Sequence, residues 1–158
     1  MEELITYRQE LLAALEADIT TLARIETSFS SQDWYCPLGG DHSTPHFTLA
    51  RIWAEDAHGF APQIRRILDE EKPLLSVFDA EAWLADHYDP EEPARIIIEN
   101  FASLRTWELG LLCGLAPASW SRTARDPRWG VHTLQWWVEL QRNFSHQHLS
   151  LLIPLLNL

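Results

Sequence analysis

Apolar residues recur along most of this chain at steps of three and four, the period that places them on one face of an α-helix. From about Glu2 to Phe29 that face is Leu4, Leu11, Leu15, Ile19, Leu22 and Ile25. A polar, turn-rich stretch follows, Ser30 to Asp33 and then Pro37 to Asp41. Thr44-Pro45 has the form of a helix start, with Thr44 as N-cap and Pro45 at the first helical position. This second helix is expected to run to about Glu71, facing inward with Leu49, Ile52, Trp53, Asp56, Phe60, Ile64 and Ile67. Pro62 removes a backbone donor inside it and should kink or break it near Gly59.

Asp79 to Tyr88 predicts a short helix capped by Asp79, with Trp83 and Leu84 to bury. Asp89-Pro90-Glu91-Glu92 predicts the start of a third long helix: a cap, a proline and acidic residues at the positive end of the helix dipole. It should reach about Leu115 and bury Ile97, Phe101, Leu104, Leu111 and Leu112. Ala116 to Gly130 is a second long connection. The last helix is expected over Thr133 to Asn157, with Leu134, Trp137, Gln141, Phe144, His148, Leu151, Leu152 and Leu155 on its stripe and Pro154 weakening its final turn. No alternating strand pattern of useful length occurs. The expected fold is all-α, a four-helix bundle with long connections and a short extra helix, in one domain spanning residues 1–158. Crossovers this long permit parallel neighbours.

Composition narrows the function classes. Hydrophobic residues at 46% and charged residues at 22% argue for a packed core and against disorder. The net charge of −11, from 23 acidic and 12 basic residues, repels phosphate backbones. The nearest basic cluster, Arg122, Arg125 and Arg128, is short and diluted by Asp126, so no nucleic-acid partner is expected. The acidic start Met1-Glu2-Glu3 is unlike a signal peptide, and no apolar run approaches about 18 residues, which implies a cytoplasmic protein with no membrane partner. Cys36 and Cys113 lie outside any CxxC spacing, and Cys113, at an apolar helix end, is expected to pack. The eight tryptophans are expected mainly as buried packing area, some of it at an oligomer interface.

Seven histidines are present, but no HExxH and no Glu-x-x-His pair, so zincin and di-iron chemistry lack their signatures. His146 and His148 project about 200° apart on a regular helix. His42 and His46 are expected at the surface or as caps, and His58 should look away from the core. His148 differs, because its place on the apolar stripe demands a partner or a metal and predicts a pKa lowered by desolvation. Asp56, one turn past Ile52, also faces inward beside Glu55. A buried carboxylate needs His148, an arginine or a cation, and arginines such as Arg51 are close in sequence.

Several segments in order complete a pattern: Arg8-Gln9-Glu10-Leu11-Leu12, Ile64-Arg65-Arg66-Ile67-Leu68, Phe78-Asp79-Ala80-Glu81-Ala82-Trp83, Pro117 to Arg122, Arg128 to Leu134, and His148-Leu149. Over nearly its full length the chain resembles the DinB-like (DinB/YfiT) superfamily of bacterial four-helix proteins. The resemblance implies a divalent metal (nickel, zinc or manganese) held by three histidines, one early in the second helix and two as H-x-x-x-H in the last. Those positions fall on Ile52, Phe144 and His148, and two of the three have no donor atom. The expectation is therefore a degenerate metal site, no metal cofactor, and a binding or interaction role with a small molecule in the bundle cleft. The alternative is a metal-dependent thiol transferase or hydrolase in which Asp56, Glu55 or His58 substitutes as a ligand beside His148. The resemblance also implies a homodimer.

Overall fold

The computed structural model describes residues 1–39 and 43–157. The expected helix α1 spans Glu2–Ser28. The second bundle helix is built in three parts: α2 (Pro45–Ala54), a π-helical turn (Glu55–Phe60) and α3 (Ala61–Asp69). Thr44 caps it, its hydroxyl accepting from Phe47 N at 3.1 Å. Pro62 neither breaks nor sharply ends this rod. The ladder widens instead, so that Ala61 N–H reaches back five residues to the Asp56 carbonyl. A wider turn accommodates a ring whose nitrogen has no proton to donate. Helix α4 (Ala80–His87) is capped by Asp79 as expected.

Helix α5 runs Ala94–Cys113, four residues later than Asp89-Pro90 predicts. Asp89 accepts from Glu91 N at 2.9 Å and so organises a separate turn, after which Pro93 opens the helix. The second connection holds structure that the alternation rule missed. Strands β1 (Thr123–Asp126) and β2 (Gly130–Thr133) pair antiparallel, with Thr123 opposite Thr133 and Asp126 opposite Gly130. Four-residue strands are too short to show a period. The buried Asp126 carboxylate accepts from Arg128 N and Trp129 N, and Gly130 takes a positive φ of 80°, which closes the turn. Helix α6 (Leu134–Leu149), capped by Thr133, is shorter than the apolar stripe suggests, and a 3₁₀ turn (Ile153–Asn157) follows it. Among the described residues no helix is long and apolar enough to cross a membrane.

α1 packs against α5 and α6, α2 against α5, and α3 against α6. Their inward stripes form two apolar layers. One holds Leu11, Leu15, Ile64, Leu112, Trp137 and Val138, and the other Leu22, Ile25, Leu49, Ile52, Phe101 and Leu149. Between the layers every bundle helix contributes polar side chains that are almost fully buried: Asp18, Asp56, Arg105, Glu108, Gln141 and Ser145. Arg105 and Glu108 take the inward places on α5, while Leu104 and Leu111 are only half-buried. Cys113, expected to pack, is exposed, as is Cys36.

Candidate functional site

The polar layer is organised around Arg105. Its guanidinium donates to Asp18 Oδ2 at 2.9 Å, to the Leu15 carbonyl at 3.0 Å and to Ser145 Oγ at 3.0 Å, and pairs with Asp56 at 3.4 Å. Gln141 Nε2 donates to Asp56 at 2.6 Å and also to Glu108. Three acids therefore converge on one cation. Burial raises the Asp18 carboxyl, and burial, followed by the neighbouring Asp56, pushes Glu108 up to about 10. A neutral, protonated Glu108 is thus how the layer limits its excess negative charge.

Asp56 therefore finds an arginine, but the distant Arg105 rather than Arg51, and it faces the layer rather than solvent. The signal for this lay in the spacing Phe101, Arg105, Glu108, Leu112, which keeps one helix face through two charged positions. Apolar identity at Leu104 and Leu111 outweighs it in a sequence reading.

Beside this layer, between the second bundle helix and α6, lies a cleft of about 550 Å³ with the hairpin turn at its rim. The π turn supplies Glu55, Gly59 and Phe60 to the lining, and α6 supplies Trp137, Leu140, Phe144 and His148. The hairpin turn adds Arg128 and Trp129, with the Arg128 guanidinium 3.9 Å from the Trp129 ring centroid and anchored on Asp126 at 3.1 Å. Arg51, Gln63, Phe78, Asn143 and Gln147 complete the wall.

His148 sits at the edge of the core rather than inside it, half-buried, while its neighbour Ser145 takes the fully inward place on α6. Its Nδ1 lies 3.0 Å from the Phe144 carbonyl, which can only accept, so Nδ1 carries the proton and Nε2 is the acceptor nitrogen. Burial, and next to it the nearby Arg51 charge, hold its pKa below the ordinary value, with the Phe144 bond opposing them. The Phe144 ring centroid lies 4.0 Å from the imidazole and 5.8 Å from that of Phe60. Glu55 shares the cleft with His148, and its carboxyl is raised by burial against the pull of Arg51 and Arg128. His58 is exposed, its ring tilted against Trp83 at 4.7 Å between centroids, and neither it nor Asp56 lines the cleft. His46, expected at the surface, is fully buried: Nε2 donates to the Glu92 carbonyl at 2.6 Å and Nδ1 accepts from the Tyr88 hydroxyl at 2.8 Å. His42 lies outside the described residues.

A three-histidine metal centre does not fit these residues. Ile52 is 1% exposed within an apolar layer, Phe144 fills cleft wall with carbon, and neither has a donor atom. Among the described residues no three His, Cys, Asp or Glu side chains are placed to hold one ion.

Four helices in this order, with a cleft between the second and the last, form a four-helix bundle. A similar solved structure is YfiT from Bacillus subtilis, described as a probable metal-dependent hydrolase with an unusual four-helix bundle topology. The two share 17% identity with a TM-score of 0.83, over 94% of this chain and 85% of that one, a likeness of fold. The chain matches no family model and no curated protein.

Proposed function

We propose that this bundle binds a small organic molecule in the cleft between its second and last helices, without a resident metal ion. The observation that carries the proposal is Phe144. It stands where the DinB resemblance expects a ligating histidine, and its ring forms cleft wall against His148 and Phe60. A cleft of about 550 Å³ with aromatic walls and a few polar groups has the size and character of a small-molecule site. Metal analysis of the purified protein, before and after incubation with nickel, zinc or manganese, tests this. Substoichiometric metal that dialysis removes is the expected result.

The rival is a metal-dependent enzyme, the activity class ascribed to YfiT. One observation favours it: Glu55 and His148 line the same cleft. It requires a stoichiometric ion that is lost in His148→Ala and in Glu55→Gln, and that outcome overturns the first reading. Homodimerisation is a separate proposal, supported by exposed apolar side chains such as Leu4, Ile5 and Trp107 and checked by sedimentation velocity.

A further inference from the structure

The Arg51 side chain has no hydrogen bond and no ion pair among the described residues, although the residue is half-buried and its Nε is shut off from water. Other arginines in similar surroundings are engaged. Arg66, Arg122 and Arg128 each hold an acid, and Arg105 holds two. Arg8 and Arg142, half-buried and also without an ion pair, donate to the side-chain oxygens of Gln135 and Asn143, and Arg24 and Arg125, likewise without an ion pair, stand exposed to water. Glu55, one turn along, is close enough for Arg51 to act on its carboxyl through space, yet it forms no ion pair with it. A guanidinium N–H withdrawn from water without an acceptor is costly, so the position needs a group that no described residue supplies.

A second donor in the same cleft is in the same condition. Trp137 is 1% exposed, lines the cleft, and its indole Nε1 has no acceptor. Both orphaned polar atoms of the lining are therefore donors. The charge of the lining agrees with them: Arg51 and Arg128 stand against Glu55 alone, in a chain whose net charge is −11. Much of the remaining wall is aromatic, with Phe60, Phe78, Phe144 and Trp129, beside Leu140, His148 and the amides of Gln63, Asn143 and Gln147. Donors and cations in a cleft with aromatic walls match a flat apolar body that ends in a bidentate anionic acceptor.

We propose that the cleft takes a small aromatic carboxylate, anchored by Arg51 with its ring among the phenylalanines, an assignment that rests on the non-metal reading of the cleft above. Arg128, already tied to Asp126, adds field rather than the primary contact.

Isothermal titration with 2-naphthoate and its neutral counterpart 2-naphthol tests the assignment, with the Trp129 and Trp137 indole N–H resonances reporting where each probe sits. The wild-type protein is expected to bind naphthoate roughly 10- to 100-fold more tightly than naphthol, the increment of a charge-assisted hydrogen-bond pair. Arg51→Met should bring naphthoate down to the naphthol level and leave naphthol unchanged, and Arg51→Lys should restore part of the difference. Equal affinity for the two probes in the wild-type protein overturns the carboxylate assignment while leaving a ligand cleft in place, and that comparison needs no variant to fold. Undiminished naphthoate binding by Arg51→Met overturns Arg51 as the anchor. Failure of both probes to bind, with the indole resonances unmoved, overturns the cleft proposal and this one together.

Discussion

Replacing Glu108 with glutamine should remove a large part of the pH dependence of stability. Glu108 is 1% exposed, and burial, followed by the adjacent Asp56, lifts its pKa from 4.5 to about 10. The folded state therefore holds this proton more tightly than the unfolded chain does. Its contribution is complete below about pH 4.5, and stability declines as pH rises toward about 10. Each unit in that window is worth about 1.4 kcal/mol, so by about pH 7.5 the accumulated cost approaches 4 kcal/mol. Glutamine keeps the shape and neutrality of the protonated acid, can still accept from Gln141, and has no proton to lose. Urea unfolding followed by tryptophan emission, at several pH values from about 5 to 8, gives the two stability curves. Their difference should widen with pH in favour of Glu108→Gln, and 4 kcal/mol is a ceiling because the amide brings a second N–H that needs an acceptor. Parallel curves, or a glutamine variant less stable at neutral pH than at acid pH relative to wild type, would show that Glu108 is ionised in the folded protein and refute the argument.

The remaining expectations follow from single contacts. Arg105→Met removes the cation on which Asp18 and Asp56 converge and should cost about 3–5 kcal/mol in urea unfolding, against less than about 1 kcal/mol if the layer were hydrated. Phe144→Ala uncovers His148, so its depressed pKa should rise toward 6.5 in an NMR titration; no movement would mean that the Phe144 ring does not shield it. Because the folded His148 resists protonation, its neutral burial destabilises the wild-type protein as pH falls below about 6.5, and Phe144→Ala should weaken that part of the acid sensitivity. Thr133→Ala deletes the cap of α6 and should lower stability by about 1 kcal/mol, whereas a loss under about 0.3 kcal/mol would show that water replaces the hydroxyl.

The helices were legible because their causes are local. Thr44 before Pro45, Asp79 before α4 and the period of three and four along α1 act within one or two turns, so the chain announces them without reference to distant residues. The candidate site was legible only in part. The placing of His148, Phe144 and Glu55 on the second and last helices follows from the sequence pattern, and the cleft that gathers them is a tertiary feature. The hairpin escaped notice because four-residue strands carry no period and its turn depends on a buried aspartate. His46 escaped because its acceptor and donor come from residues more than 40 positions away.

The amino-acid sequence by itself determined an all-helical bundle, its chain order and the lack of donor atoms at positions 52 and 144, since residue type and spacing suffice for each. Only the tertiary structure decided which charges are inside. Arg105 meets Asp18 and Asp56 across 87 and 49 residues, and Arg51 is left without an acid although Glu55 lies one turn away. A charge is stabilised or stranded by what surrounds it in space, and that depends on how the helices cross rather than on the order of residues along any one of them.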